Sequence, residues 1–312
     1  MKCVLCGNSY FKIIQQKIRF NFPRKVVQCK NCKLVSLKNP NTDIIDYEKT
    51  YRKLHSPILN KQMSSKEFFK FQEKFQPSKI SRVNHLLKKN YDILEIGSST
   101  GNFLNSIKNL VNCSVGIELD KKHMEFSKKH CKLEVYNEPI EKLKLDQKFD
   151  IIFMFQVFEH IPNPIEFLNI TKQFLKSSGR IYVEVPNIDD ALNSVYGIQN
   201  FKNFYFRLPH PYYYSENTLT KVFQKAGFIG KSNFFQEYSV FNHINWILTH
   251  KPQASQIDGY SDLLWNTSIL NSEKKEILIQ KFFKKFNSEY KNLLENNGLT
   301  ENLSFTGKIK KV

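Results

Sequence analysis

Four of the six cysteines come in two closely spaced pairs near the start of the chain. Cys3 and Cys6 form one Cys-x-x-Cys pair, and Cys29 and Cys32 form a second pair after a spacer rich in Ile and Phe. Two such pairs can supply four thiolates, which complete the tetrahedral shell of a structural zinc ion. Two disulfides or a redox dithiol would use the same cysteines, but the paired spacing favours zinc. The pattern therefore predicts a zinc ribbon over residues 1–40, with no open metal position for catalysis.

A glycine-rich turn stands where a predicted strand passes into a helix. Gly97 and Gly101 lie in the stretch Leu94–Phe103, and Gly97 lets the backbone come close to a ligand. The next predicted strand ends at Glu118, 21 residues after Gly97, where a carboxylate can accept both ribose hydroxyls of a nucleoside. Dinucleotide sites use a further glycine to hold a pyrophosphate, whereas Glu95 in front of this turn suits a cationic ligand without phosphate. S-adenosylmethionine (SAM), with its sulfonium, ammonium and ribose, is such a ligand.

The elements that must position this turn are short apolar runs that alternate with helical stretches. Five of these runs are predicted to be strands: Tyr91–Ile96, Cys113–Ile117, Lys132–Tyr136, Phe149–Phe155 and Arg180–Val185. Strands that alternate with helices indicate βαβ units in a parallel sheet covered on both faces. The sequence thus predicts an α/β core over residues 90–241. A helical connector over 41–89 precedes this core, and a mostly helical extension over 242–312 follows it and ends in a basic tail.

Four stretches resemble the motifs of the class I SAM-dependent methyltransferases. Ile93–Leu104 resembles motif I of that family. The second strand with its acid, the fourth strand with its loop, and the fifth strand follow in the family's order at Val115–Asp120, Phe149–Pro164 and Leu175–Asn187. The resemblance implies a Rossmann-like sheet of seven mostly parallel strands, the last one antiparallel. It also implies that SAM is bound by residues of these motifs: Glu95, Gly97, Ser98, Gly101, Glu118, Leu119 and Gln156.

Segments before and after these four motifs resemble the sugar-methylating branch of the same family. That branch includes deoxysugar C-methyltransferases of nucleotide-linked sugars, and the likeness extends over the cysteine ribbon and the stretch His210–Phe228. The stretch Gln236–Trp246 also resembles a segment found in methyltransferases of bacterial surface-polysaccharide clusters. The C-methyltransferases carry Tyr-x-Glu-His where this chain has Arg207–His210, so only the histidine is kept. The resemblance implies a nucleotide-linked sugar as substrate and leaves carbon and oxygen equally open as the methyl acceptor.

Three ionisable residues are candidates for the chemistry of methyl transfer. An alcohol has a high pKa and a carbon beside a ketone must lose a proton, so either acceptor benefits from a general base such as histidine. His210, between two prolines in an aromatic loop, is the leading candidate. Glu159 and His160 follow the fourth strand of the family, at the edge where open α/β sheets bind ligands. The aromatic residues around this loop can form either a lid over a sugar or part of the core.

The charge of the chain is strongly basic, but only in one region. Lys and Arg number 47 against 29 Asp and Glu, and the first 90 residues hold 20 of the former and only 5 of the latter. Only six of the basic residues are Arg, the type that nucleic-acid sites favour, so we do not expect nucleic acid as a partner. The basic third is either a solvated surface or a region that helps to hold an anionic small-molecule substrate, the partner that we expect. The alternative function is an RNA methyltransferase that binds RNA through the ribbon. A third hypothesis is a non-catalytic binding module that retains the methyltransferase fold only as a scaffold.

The chain carries no sequence feature of membrane insertion or secretion. Its longest apolar run, Ile151–Phe155, is far shorter than the roughly 18 residues that a membrane span needs. Its first residues lack the apolar region of a secretory leader. We therefore expect a soluble cytoplasmic protein without a membrane partner, and the sequence favours no particular oligomeric state.

Overall fold

The computed structural model describes residues 1–40, 62–261 and 273–310. The predicted connector at 41–89 is therefore described only from residue 62, and its first part lies outside the described residues. The strands of the described chain are β1 Phe11–Gln15, β2 Val26–Cys29, β3 Val35–Leu37, β4 Asp92–Ile96, β5 Cys113–Ile117, β6 Glu134–Tyr136, β7 Phe149–Phe155, β8 Leu175–Pro186, β9 Tyr212–Tyr213, β10 Phe228–Phe235 and β11 Asn302–Ile309.

Helices fill most of the segments between these strands. They are α1 Ser65–Glu73, α2 Gln76–Val83, α3 Asn102–Ile107, α4 Lys121–Phe126, α5 Pro164–Thr171, α6 Ala191–Ser194, α7 Gln199–Tyr205, α8 Glu216–Lys225, α9 Val240–Thr249, α10 Gln256–Tyr260 and α11 Glu273–Asn296. Several begin at a side chain that satisfies free backbone N–H groups, as at Ser64 and Ser215, where a serine caps α1 and α8. In the described ranges, no helix combines the length and the apolar character that crossing a bilayer requires.

Seven strands form one twisted sheet in the order β10-β11-β8-β7-β4-β5-β6. The strands from β8 to β6 pair in parallel, whereas β11 is antiparallel to both of its neighbours, β8 and β10. This arrangement confirms the predicted Rossmann-like sheet of seven mostly parallel strands with an antiparallel last strand. The carboxyl ends of β4, β5, β7 and β8 share one edge, so the loops that follow them lie near one another.

The central strands are apolar throughout because helices cover both faces of the sheet. Six of the seven residues of β7 are buried. One face packs against α1, α2 and α3 through a cluster that includes Phe69, Val83 and Phe103. The other face packs against α5 and α8 through a cluster that includes Phe167 and Phe223. Alternate side chains of each strand therefore enter different cores.

The described part of the predicted C-terminal extension is mostly helical up to Asn296, as expected, but its last residues need a correction. We expected a basic tail, and the structure instead places β11, Asn302–Ile309, between β8 and β10 in the main sheet. Leu303 and Phe305 are fully buried there. The lysines that gave the tail its basic character, Lys308 and Lys310, lie at the end of the strand, where the chain leaves the core. The strand was hidden because its burial comes from the sheet rather than from a long apolar run of its own.

The cysteine-bearing segment does not fold apart from the rest of the molecule. Strands β1, β2 and β3 form an antiparallel sheet that is extended by β9, so that Val35 pairs with Tyr213 and Ser36 with Tyr212. A third apolar core joins Val26 and Leu37 of this sheet to side chains from far along the chain: Leu192, Ile198, Phe201, Tyr205, Phe206, Tyr213 and Trp246. We call residues 1–40 the ribbon and the loop Phe206–Pro211 the acceptor loop. The ribbon thus packs on the segment that carries the acceptor loop.

Candidate active site

The turn after β4 adopts a backbone that requires glycine. Gly97 has φ +77°, and a Cβ added to it would lie 2.4 Å from Cγ2 of Val157. Gly101 has φ +81°, and its added Cβ would lie 2.7 Å from Cδ1 of Leu133. Gly97 therefore lets β4 and the chain after β7 approach each other at the ligand edge. Gly101, in contrast, serves the packing of α3 on the neighbouring strand.

Glu118 lies at the end of β5, where the sequence predicts a ribose-binding acid. Its carboxylate accepts hydrogen bonds from the backbone N–H of Ser99 and of Asp120, each at 2.7 Å. The first of these bonds ties the acid to the glycine-rich turn and fixes the side chain at the mouth of the β4–β5 crevice. The adjoining Leu119 is 47% exposed, which leaves an apolar surface beside the acid.

Glu95 is a buried carboxyl that the described protein does not satisfy. It is 3% exposed, and in the described ranges its Oε2 has no hydrogen-bond partner. Burial raises the pKa of Glu95 to about 8, although the positive charge of Lys79 opposes the shift. The buried hydroxyl of Ser98 also lacks a partner in the described part of the chain. An amino-acid ammonium group would give both side chains a donor or a countercharge, so these residues fit the methionine end of SAM.

One cavity of about 490 Å³ opens at the carboxyl ends of β4, β7 and β8. Most of the predicted site residues line it: Glu95, Gly97, Ser98, Gln156, Glu159, His160 and His210. Gly101, Glu118 and Leu119 are not among the described residues that line it. The cavity continues past the turn toward the ribbon, the acceptor loop and the helices α9 and α10. It therefore connects the glycine-rich turn with the surroundings of the acceptor loop.

Gln156 follows β7 and is held by the strands next to it. Its backbone N–H donates to the carbonyl of Glu184 at 2.9 Å, and its Nε2 donates to Oδ1 of Asn302 at 2.9 Å. Its φ of +56° is unusual for a residue other than glycine. Strand β11 therefore helps to fix a residue of the predicted cofactor site.

The three predicted catalytic candidates meet in one buried cluster. Glu159 and His160 come from a short 3-10 turn after β7, and His210 comes from the acceptor loop. Oε1 of Glu159 lies 4.0 Å from Nε2 of His160 and 4.0 Å from Nε2 of His210. The two imidazole rings meet edge to face with centroids 4.6 Å apart. The turn and the loop are linked because the hydroxyl of Tyr212 donates to the carbonyl of Pro162 at 3.0 Å.

Burial sets the protonation of this cluster. It raises the pKa of Glu159 to about 8 and lowers that of His160 to about 3, with the charge of Arg207 adding to the depression of the histidine. His160 is therefore neutral near pH 7 and is a poor proton acceptor, whereas Glu159 largely keeps its proton. The ligand atoms of Glu159, His160 and His210 lie within 4.8 Å of one another, a spacing that a metal ion could bridge, but the charge of Arg207 opposes a cation at this place.

A comparison with protein families identifies the family of this chain. A family model described as a methyltransferase domain matches residues 68–230, which are 163 of the 312 residues. This chain belongs to the methyltransferase family. Its sheet order and its glycine-rich turn are those of the class I SAM-dependent methyltransferases, as the sequence predicts.

Relatives of this methyltransferase share only part of its sequence. Ubiquinone biosynthesis O-methyltransferase of Pelagibacter ubique (strain HTCC1062) is 29% identical over 104 residues, which are 32% of this chain and 43% of that protein. The match thus spans less than half of the relative's length. A SAM-dependent methyltransferase from Archaeoglobus fulgidus is 21% identical with a TM-score of 0.47, over 77% of this chain and 99% of that one. One from Clostridium acetobutylicum ATCC 824 is 12% identical with a TM-score of 0.45, over 78% and 92%.

The four paired cysteines of the methyltransferase converge at one end of the ribbon. Sγ of Cys3 lies 3.4 Å from Sγ of Cys32, and Sγ of Cys6 lies 3.5 Å from Sγ of Cys29. All four sulfurs lie within 4.8 Å of one another. Zn–S bonds of about 2.3 Å place the sulfurs of a tetrahedral site about 3.8 Å apart. The cluster thus fits one zinc ion, and the cysteines are not disulfide-bonded. Cys113 and Cys131 lie elsewhere, in or beside the main sheet.

Several residues of the cavity were not among the predicted site residues. Arg19 comes from the ribbon, Arg207 from the acceptor loop and Asp190 from the start of α6, while Tyr238 and Glu301 come from the C-terminal part. Sequence offered a partial signal for two of them. Arg207 marked the departure from the sugar C-methyltransferase motif, and Tyr238 lies in the stretch that resembles surface-polysaccharide enzymes. Arg19, Asp190 and Glu301 carried no motif, since only the tertiary fold brings them to the cavity.

Proposed function

We propose that this methyltransferase transfers the methyl group of SAM to a nucleotide-linked sugar that is used to build a surface glycan. The observation that carries the proposal is one cavity that joins the glycine-rich turn, with its unsatisfied Glu95, to the buried cluster of Glu159, His160 and His210. The first group of residues suits a cationic nucleoside, and the second suits proton transfer from a polar acceptor. A small molecule with hydroxyl groups fits the space between them.

The cofactor is assigned to the β4–β5 side of the cavity. Glu118 would bind the ribose, Leu119 would cover the base, and Glu95 with Ser98 would bind the methionine end beside Gln156. When bound, SAM supplies a methyl group on a sulfonium whose departure leaves a neutral thioether. No acid is then needed at the leaving group, and positioning of the acceptor supplies much of the rate.

His210 is assigned as the general base that takes the proton from the acceptor. Its loop borders the part of the cavity that lies beyond Gln156, and Glu159 lies 4.0 Å from its Nε2. Glu159 positions the imidazole and, by burial, favours its own protonated state at neutral pH. His160 is assigned a packing role against His210, because its depressed pKa makes it a weak base. The relative that is named as an O-methyltransferase supports oxygen over carbon as the acceptor atom.

The zinc ion is assigned a structural role. Cys3, Cys6, Cys29 and Cys32 would fill all four coordination positions, so the ion would take no part in the reaction. It would instead join the turn before β1 to the turn between β2 and β3. Since that sheet pairs with β9, zinc would hold the acceptor loop in place through β3.

RNA methylation is the competing function, and the basic ribbon is the observation that favours it. Residues 1–40 contain nine Lys and Arg and no Asp or Glu. A basic surface of this kind binds phosphate backbones without sequence preference and with strong salt dependence. The buried position of His210 argues for the smaller substrate, because an RNA base would have to be flipped out to reach it.

Label transfer tests the proposal directly. Purified protein and methyl-labelled SAM are incubated with a cell's nucleotide-sugar pool and, separately, with its total RNA. We expect label in the nucleotide-sugar fraction and a loss of labelling in Glu118→Ala, while the exposed Glu125→Ala keeps it. Label only in RNA would overturn the substrate class, and no label in any fraction despite S-adenosylhomocysteine (SAH) binding would support the non-catalytic alternative.

A further inference from the structure

We propose that Arg207 and Arg19 form an anion-binding subsite in the acceptor half of the cavity, which holds the diphosphate of the acceptor. This inference rests on the proposed function and names the group that would select its substrate. One arginine belongs to the acceptor loop and the other to the ribbon, and both line the same cavity as His210. The ribbon therefore contributes a side chain to the acceptor site itself.

Arg207 is held in place by its backbone rather than by its guanidinium. The hydroxyl of Tyr213 accepts the N–H of Arg207 at 2.8 Å and donates to its carbonyl at 2.9 Å. Tyr213 is fully buried in the core shared with the ribbon. The Nε of Arg207 is buried and, among the described residues, has no hydrogen-bond partner. A buried guanidinium nitrogen without a partner is costly unless a ligand satisfies it.

Arg19 approaches the same region from the ribbon. Its backbone N–H donates to the carbonyl of Phe206 at 2.8 Å, and its Nε donates to the carbonyl of Phe204 at 2.7 Å. Its guanidinium carbon lies 3.6 Å from the centroid of the Phe204 ring. Stacking and these bonds hold the guanidinium plane in one orientation beside the cavity.

The positive charges of both arginines affect the pKa of the same two buried tyrosines. Burial raises the pKa of Tyr238 to about 12, and the charges of Arg207 and Arg19 both oppose that shift. The same two charges oppose the raised pKa of Tyr213. Two positive charges thus reach one part of the cavity wall. Arg82, another arginine of the cavity, differs because Glu184 and Glu237 bind it at 3.1 Å and 2.9 Å.

The carboxyls near the subsite neutralise these charges only in part at neutral pH. Burial raises the pKa of Glu159 to about 8 and that of Asp190 to about 7, and it raises the pKa of Glu301 well above its usual range. These groups hold their protons for much of the time near pH 7. Protonated carboxyls can donate hydrogen bonds to hydroxyl groups, whereas the guanidiniums remain charged. The wall therefore suits a ligand that combines an anion with hydroxyls.

Diphosphate esters match this chemistry best. A guanidinium binds two phosphate oxygens with parallel hydrogen bonds, and two guanidiniums from separate elements can bind neighbouring phosphates. The sugar would then project from the diphosphate toward His210. A free diphosphate and a nucleoside diphosphate share the anionic group, so comparing them separates the contribution of the nucleoside.

Calorimetry with inorganic pyrophosphate and with uridine diphosphate tests the subsite. Both probes are titrated into the full-length zinc-loaded protein, with and without SAH. We expect Arg207→Met and Arg19→Met each to raise the Kd of pyrophosphate about tenfold or more, because charged hydrogen bonds are lost. Arg180→Met is the matched control, since Arg180 is exposed on β8 and outside the cavity lining. It should leave the Kd unchanged.

The outcomes separate this inference from the function on which it rests. Wild-type affinity for pyrophosphate in Arg207→Met, or equal losses in Arg180→Met, would overturn the subsite. Arg207→Lys should recover only part of the affinity, because lysine keeps the positive charge but lacks the paired N–H donors of a guanidinium. SAH binding without binding of either probe would overturn the subsite and leave methyl transfer intact. Pyrophosphate binding at these arginines without any SAH binding would keep the subsite and overturn the proposed function.

Discussion

The two halves of the cavity are built in different ways. The cofactor half takes Glu95 and Gly97 from the end of β4 and the turn after it, and Glu118, outside the cavity lining, follows β5 within the same 24-residue stretch. The acceptor half takes Arg19 from the ribbon, His210 from the acceptor loop and other residues from the C-terminal part. One half is therefore specified locally, by a turn and two adjacent strands, whereas the other exists only when distant segments pack together.

This difference makes the two halves separable by experiment. The cofactor half stands on the central parallel strands, which are buried on both faces, and none of its predicted residues comes from the ribbon. The acceptor half depends on the pairing of β3 with β9 and on the bond from the backbone N–H of Leu37 to the carbonyl of Pro211 at 3.0 Å. Changes in the ribbon or the acceptor loop should alter acceptor use and leave SAH binding unchanged.

The largest effect is expected for His210→Asn. We expect kcat to fall by about 10²-fold or more, the usual contribution of a general base, while the Kd of SAH stays within about twofold of the wild-type value. Single-turnover rates with a saturating acceptor measure the loss. The pH profile should also change, since removal of the base removes the rise in rate that accompanies its deprotonation.

His160→Asn is the matched control for that substitution. It removes the neighbouring imidazole, whose depressed pKa makes it a weak base near neutral pH. We expect a change in kcat of less than about tenfold. A larger loss in His160→Asn than in His210→Asn would reverse the two assignments. Loss of SAH binding in His210→Asn would show that the two halves of the cavity are not independent.

Zinc removal should have the next largest effect, and only on the acceptor half. Cys29→Ser, or chelation of the wild type, should raise the KM for the acceptor by about tenfold, because β3 and Arg19 lose their fixed position. The Kd of SAH should stay unchanged because none of the residues assigned to the cofactor comes from the ribbon. Metal content, KM and SAH titration measure the three quantities on the same samples.

Cys113→Ser provides the control for the cysteine chemistry. Cys113 begins β5 and lies outside the four-sulfur cluster. This variant should keep both its zinc and its KM. A wild-type protein that contains no zinc and keeps four reactive thiols would contradict the assignment of the ribbon as a zinc site.

The cofactor half could be predicted from sequence because its constraints are local. A strand, a turn that needs positive φ at Gly97, and an acid at the end of the next strand are all encoded within a short stretch. The parallel strands could be recognised in the sequence because burial on both faces requires continuous apolar runs, as in Phe149–Phe155. The spacing of the four cysteines likewise predicted a cluster that the fold brings together.

The acceptor half and the last strand could not be predicted in the same way. β11 has eight residues but no long apolar run, and its burial comes from neighbours that are more than 60 residues away in sequence, such as Phe235, or more than 100, such as Val185. Arg19 reaches the cavity because the ribbon shares a core with Tyr213 and Trp246, and no spacing within the ribbon encodes that contact. Gln156 was predicted as a cofactor residue, but its bond to Asn302 depends on the unpredicted strand.

The smallest effect concerns Glu95 and the pH dependence of SAH binding. In the free protein burial raises the pKa of this carboxyl to about 8, against an ordinary value of 4.5, so it carries a proton at neutral pH. The ammonium group of SAH favours the charged carboxylate. Binding should therefore strengthen by about three- to tenfold as the pH rises from about 7 to about 8, where more of the carboxyl is already ionised. Glu95→Gln should bind more weakly and show a flatter profile.

The raised pKa of Glu95 has the opposite effect on the stability of the free protein. Measuring both SAH binding and stability against pH therefore tests whether Glu95 is the group that titrates. Folded Glu95 binds a proton up to about pH 8, whereas the unfolded chain releases it near 4.5, so the free energy of unfolding falls as the pH rises between these values. Glu95→Gln should make that fall shallower, because Glu159 and Asp190 also have raised pKa values and remain, whereas Glu166→Gln, at an exposed position on α5, should leave the fall unchanged. Parallel pH profiles of wild type and Glu95→Gln, in both denaturant unfolding and SAH titration, would contradict the assignment of Glu95 to the ammonium group.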